Sequence, residues 1–210
     1  MSWEGRPLFI RSRKRFSLPG EACWALGLGL ALLALQLGGE AARSGLRYER
    51  GAILDGEAWR LLAAHFVHLG GAHLALNLAG IALCAALSPR LFSRRLLWTV
   101  PFLAINISVL MLVFSPGVAD YVGFSGVLYG LFICGLWPQR RDSAMAVALL
   151  LVAGWMLWQW LGGPMASEER IIGGHIVSIA HVHGGWLGVL LASVTLLDPE
   201  RQHRRHRRSR

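Results

Sequence analysis

Gly123-Phe124-Ser125-Gly126-Val127-Leu128-Tyr129-Gly130 sets a serine between glycines at the mouth of an apolar run that continues uncharged to Gln139. On a helix Gly126 and Gly130 lie four residues apart on one face, where a second helix can approach until the backbones touch. The same lack of bulk leaves Ser125 open to a substrate backbone and makes it a candidate nucleophile. Small residues also line ordinary helix contacts in membranes, so Gly123 to Gly126 carry a packing reading beside the catalytic one. Ser125 is expected in the first turn of its helix, where free N–H groups and the positive end of the helix dipole favour an oxyanion.

The surrounding chain is built for lipid. Of its 210 residues 54% are hydrophobic and only 16% charged, and the mean hydropathy is +0.47; a soluble domain of this size needs far less apolar surface. Uncharged or nearly uncharged runs over residues 22–39, 61–89, 96–119, 121–139, 143–167 and 171–197 each reach the ~18 residues that a spanning helix requires. The expectation is an all-α membrane protein, a six-transmembrane-helix bundle in one domain (21–197), with an N-terminal segment (1–20) and a basic tail (198–210).

The net charge of +9 raises the question of nucleic acid, and the placement of the charge answers it. Sixteen of the 21 Lys and Arg residues fall before span one, between spans two and three, between four and five, and after six. That asymmetry puts both termini in the cytoplasm. The tail Arg201-Gln-His-Arg-Arg-His-Arg-Arg-Ser-Arg210 reads as an anchor near anionic headgroups, and its lack of aromatic residues argues against RNA. Span one reads as an uncleaved signal anchor. Cys23, Cys84 and Cys134 fall within spans without a CxxC pair and read as small apolar fillers, so neither a disulfide framework, a metal nor a cofactor is expected.

Four polar side chains sit where lipid tolerates them poorly. His73 and Asn77, four apart near the outer end of span two, must face the bundle interior. They read either as interhelical hydrogen bonds or as donors to an oxyanion. In span six His181 shares a face with Gly184 and Gly188, which can meet Gly126 and Gly130 of span four; His183 lies ~200° away around the helix and is the rival base. Tyr129 projects from the face of Ser125 and can pack on the His181 ring. No Asp or Glu lies in the apolar body of a span, so a dyad is expected, with Tyr129 taking the orienting role that an Asp fills in triads.

The remaining outer segments are less distinctive. The loop 40–60 mixes Arg, Glu and Trp and reads as a headgroup layer or as a solvated connector. Trp155, Trp158 and Trp160 read as an interfacial belt, and Gly162 to Arg170 as a glycine-hinged lid.

At these residues the sequence resembles the rhomboid intramembrane serine proteases. The matching positions are Trp59-Arg60, His68, His73-x-x-x-Asn77, Gly123-x-Ser125-Gly126-x-x-Tyr129 and Ala180-His181-x-x-Gly184-x-x-x-Gly188. Gly56 to His68 together with Gly123 to Gly130 look like the rhombosortase branch. The likeness is close in spans two, four and six, and departs at His183, where a small or apolar residue is expected.

The resemblance implies that Ser125 attacks a peptide carbonyl, that His181 takes its proton, and that the Ser125 N–H, Asn77 and His73 hold the oxyanion. It also implies substrates that are exported, membrane-embedded proteins with a C-terminal Gly-Gly-type sorting signal, a possible lipid-linked amine acceptor, and an active site on the periplasmic face of a bacterial inner membrane. A general rhomboid protease, an inactive rhomboid-like binding protein and a histidine-lined transporter are the competing readings.

Overall fold

The structure, a computed structural model, describes residues 20–196. The expected cytoplasmic segment up to Pro19 and the basic tail after Leu197 lie outside the described residues. In chain order the elements are α1 (Gly20–Leu37), α2 (Gly39–Leu46), β1 (Tyr48–Glu49), α3 (Arg50–Leu54), α4 (Arg60–Ala63), α5 (Gly71–Leu87), α6 (Leu96–Phe114), β2 (Asp120–Tyr121), α7 (Ser125–Leu136), α8 (Ser143–Gly162), α9 (Ala166–Ile172) and α10 (Ser178–Leu196). It is an all-α membrane fold with one two-residue β pairing.

Among the described residues three helices, α1, α6 and α8, are long and apolar enough to cross a bilayer by themselves. The expected second span is broken: 60–66 and α5 meet at 90°. The break falls between Phe66 and Gly71: Val67 is extended (φ −109°, ψ 154°) after the first piece, and Gly70, fully extended (φ −170°, ψ −177°), stands just before α5. The expected sixth span begins late. Residues 166–172 form the separate helix α9, closed by Gly173 in the left-handed region, and α10 starts only at Ser178. The segment expected as a lid loop is therefore largely helical.

At the centre stands α7, with Val127, Leu131 and Leu136 wholly enclosed. Its 12 residues extend only ~18 Å at 1.5 Å per residue, well short of a ~30 Å hydrocarbon core. The uncharged run of residues 121–139 is thus α-helical only in part: the helix opens at Ser125, in keeping with the first-turn position expected of it, and other backbone completes the run at both ends. Such backbone is tolerated at depth only where protein satisfies it. Here the Gly123 N–H donates to the Ala64 carbonyl at 3.1 Å, and the Tyr121 hydroxyl donates to the Gly123 carbonyl at 2.5 Å. At the other end Gln139 donates to the carbonyls of Leu87 and Gly135 at 3.2 and 2.9 Å.

The segment between α1 and α5 is folded, so a solvated connector does not describe it. β1 pairs antiparallel with β2, Tyr48 opposite Tyr121. Buried Arg60 ties the segment together, donating to Glu57 at 2.6 Å and to the Ser44 and Arg47 carbonyls at 2.9 Å. Arg50 reaches the Leu112 carbonyl at the end of α6. This layer fixes the chain that leads into Ser125, since β2 is only three residues upstream of α7.

The helices α7 and α10 meet backbone to backbone. A Cβ on Gly184 would overlap the Gly126 carbonyl oxygen, one on Gly188 would lie 2.5 Å from the Gly130 carbonyl oxygen, and one on Gly130 would lie 2.9 Å from the Gly184 carbonyl oxygen. Four glycines on two facing stripes thus set the separation of these two helices, as their four-residue spacing anticipates.

Candidate active site

The approach to α7 depends on Gly123. Its φ of +122° is a conformation that L side chains rarely adopt, and a Cβ there would sit 2.6 Å from His73 Cε1. The His73 ring therefore packs against the bare Cα of Gly123. Phe124 forms no side-chain cap, and of the first-turn amides of α7 that of Gly126 meets the Tyr121 hydroxyl. Ser125 opens the helix among these groups.

Across the glycine contact, His181 Nε2 lies 2.9 Å from Ser125 Oγ. Tyr129 lies one turn below the serine, its ring centroid 4.6 Å from that of His181 with 31° between the planes. The imidazole is buried, with 5% of its surface exposed. A base held within hydrogen-bond reach of a hydroxyl in a water-poor site can activate that hydroxyl as a nucleophile.

The other ring nitrogen has a partner that the sequence reading does not name. His181 Nδ1 lies 2.8 Å from Gln159 Oε1, and Gln159 Nε2 donates to Glu168 Oε2 at 3.2 Å. Gln159 is the one buried residue of α8, a helix that shows its three Trp side chains and most of its Leu side chains outward. The signal was present in the chain as a lone amide within an apolar span, where a polar group must face protein. The tryptophans around it, themselves half exposed, account for the stretch well enough to hide it.

Ser125, His181, Tyr129, His73, Asn77 and Gln159 all line one cavity of about 590 Å³, together with Glu168 and His175 at its α9 side. Asn77 is buried, and its amide donates to the His73 carbonyl at 3.0 Å. The His73 ring stands edge-on to His68 at 5.0 Å. His65 is bonded to Ser108 of α6 at 3.0 Å, a packing contact away from the cavity. His183 points elsewhere: its Nε2 is buried without a hydrogen-bond partner among the described residues, and it does not line the cavity. Gly126, Gly184 and Gly188 stand behind the serine and histidine as the helix contact described above.

The Rhomboid domain family matches residues 55–198, well over half of the chain. The chain belongs to the rhomboid family. Members of that family are intramembrane serine proteases, and the match takes in the whole cavity described here while leaving α1 and α2 outside it. No curated protein gives a match. Among the described residues no three His, Cys, Asp or Glu side chains converge as a ligand set. His65 and His68 are buried against Ser108 and His73, and His175 pairs with Glu169 at 2.5 Å at the end of α9.

Proposed function

We propose that this rhomboid cleaves peptide bonds at the membrane with Ser125 as nucleophile and His181 as base. The observation that carries the reading is the 2.9 Å approach of Ser125 Oγ to His181 Nε2 beside an open cavity. As Oγ attacks the scissile carbonyl carbon, its proton passes to Nε2 and the carbonyl electrons move onto oxygen. Collapse of this tetrahedral intermediate breaks the C–N bond, and the imidazolium returns the proton to the leaving amine. Water or a second amine then attacks the acyl-enzyme by the same route in reverse, regenerating the hydroxyl.

The oxyanion falls to the Ser125 N–H, Asn77 and His73. The helix N-terminus contributes the Ser125 amide, and the two side chains share the cavity with the serine. Asn77→Ala is expected to lower kcat by about 10²–10³ with KM little changed, the cost of losing one such donor. A KM rise at constant kcat assigns Asn77 to substrate binding instead. Progress curves with a fluorogenic peptide distinguish the two.

The narrower assignment is to the rhombosortase branch, supported by the stretches Gly56 to His68 and Gly123 to Gly130. Its substrates are exported proteins ending in a Gly-Gly-type signal, an apolar helix and a basic end, and a lipid-linked amine can serve as acceptor. Six spans follow from the apolar runs and cytoplasmic termini from the charge asymmetry, while a cavity open to the periplasm of a bacterial inner membrane follows from the likeness to this branch. The test is a pair of substrates presented to the enzyme in liposomes, one with the Gly-Gly signal and one an ordinary transmembrane helix. Cleavage of the first at least tenfold faster supports the branch. Equal rates leave a general rhomboid protease.

A further inference from the structure

We propose that Gln159, itself oriented by Glu168, is the positioning residue that holds His181 in the tautomer able to take the Ser125 proton. The proposal rests on the protease reading and adds a third and a fourth member to its dyad. An amide side chain presents a donor on one side and an acceptor on the other, and these can exchange by a half-turn of the end group. If the NH₂ faced His181, Nδ1 would have to accept, the ring proton would sit on Nε2, and no lone pair would meet the serine. An ionised carboxylate can only accept. Glu168 Oε2, 3.2 Å from Gln159 Nε2, therefore draws the NH₂ toward α9 and leaves Oε1 for His181 Nδ1 at 2.8 Å. The ring proton is then on Nδ1, and the Nε2 lone pair points at Ser125 Oγ.

Three features make this more than a chance contact. Gln159 is 4% exposed and the sole fully buried residue of α8, a helix that turns its Trp155, Trp158 and Trp160 side chains outward. Both ends of its amide are engaged, each by a different element, α10 and α9. The chain of bonds ends on a carboxylate, so the imidazolium formed during attack sees a negative charge relayed through one polarised amide. Tyr129 supports the ring from its face but supplies nothing to Nδ1, so the orienting role expected of it is shared with a group that can fix the proton.

The experiment compares the full-length protein in detergent with Gln159→Leu, Glu168→Ala, the double variant, and the exchange Gln159→Glu with Glu168→Gln. The readouts are the rate of fluorophosphonate labelling at Ser125 and the kcat and KM of peptide cleavage. Gln159→Leu is expected to lower labelling and kcat by about 10–100-fold with KM unchanged, the range met when the orienting partner of a functional histidine is removed. Glu168→Ala is expected to cost a few-fold, about 3–10. The double variant should equal Gln159→Leu, because Glu168 acts only through the amide. The exchange places an acceptor-only group against Nδ1 and is expected to return the rate to within about tenfold of wild type.

Additive effects of the two single changes, a rise in KM at constant kcat, or an exchange variant no faster than Gln159→Leu overturns the proposal. Should Gln159→Leu fail to fold, the partly exposed Glu168 and the exchange variant still decide it. An unlabelled wild type overturns the protease reading itself, whereas a labelled wild type with an equally reactive Gln159→Leu overturns the role of Gln159 alone.

Discussion

Ser125→Ala is expected to abolish labelling by a fluorophosphonate and peptide cleavage alike, and His181→Ala to lower both rates by about 10⁴–10⁶. His183→Ala should stay within about threefold of wild type. The size of the first effect follows from the absence of a substitute: Ser125 is the hydroxyl at 2.9 Å from the imidazole, and a serine hydroxyl without a base is a poor nucleophile. The second follows from burial. With 5% of its surface exposed, His181 sits where bulk water has little access to replace it as proton acceptor. Two histidines two residues apart on a helix cannot serve the same serine, because the ~200° between them turns one away when the other is in reach. Normal labelling of His181→Ala with loss in His183→Ala assigns the base to residue 183 and withdraws the mechanism. Thermal melts of all three variants separate loss of chemistry from loss of fold.

Much of this site can be read in the chain because it depends on helix periodicity, which is local. The four-residue spacing of His73 and Asn77, and of Gly126 and Gly130, gives faces without any knowledge of neighbours. The choice of His181 over His183 needed only one more step, that a glycine stripe and its histidine must look the same way. The Gln159 contact is different in kind. Which face of α8 turns inward is decided by how that helix lies against its neighbours, and apolar side chains on every face serve equally well by hydropathy. Glu168 escaped for a related reason: a search for acidic residues within spans passes over one that reaches the site from the end of the neighbouring helix. The two-residue pairing of Tyr48 with Tyr121 is too short to leave an alternating pattern, and the bend near Gly70 is hidden because the apolar run continues through it.

Gly184→Ala is expected to lower the melting temperature by roughly 5–10 °C and the labelling rate of Ser125 by about 10²-fold. The added methyl would occupy the position of the Gly126 carbonyl oxygen and lie 3.4 Å from the Gly130 amide nitrogen, both rigid backbone, so α10 must retreat from α7. Overpacking of this kind costs about 1–3 kcal/mol, and at ~2–4 °C per kcal/mol for a domain of this size the shift in melting follows. The effect on rate has a separate origin, since His181 is one turn before Gly184 and moves with it. A displacement of about 1 Å is enough to lose 10²-fold in a reaction that depends on a preformed contact. Gly154→Ala provides the comparison, for a Cβ there meets nothing within 4 Å, and its melting temperature should stay within about 2 °C of wild type. The two effects of Gly184→Ala part company with temperature. Well below the melting transition the protein is folded yet still slow, because the retreat of α10 belongs to the folded state. If labelling returns to the wild-type rate in the cold, the helix contact sets stability alone, and some other constraint holds His181 against Ser125.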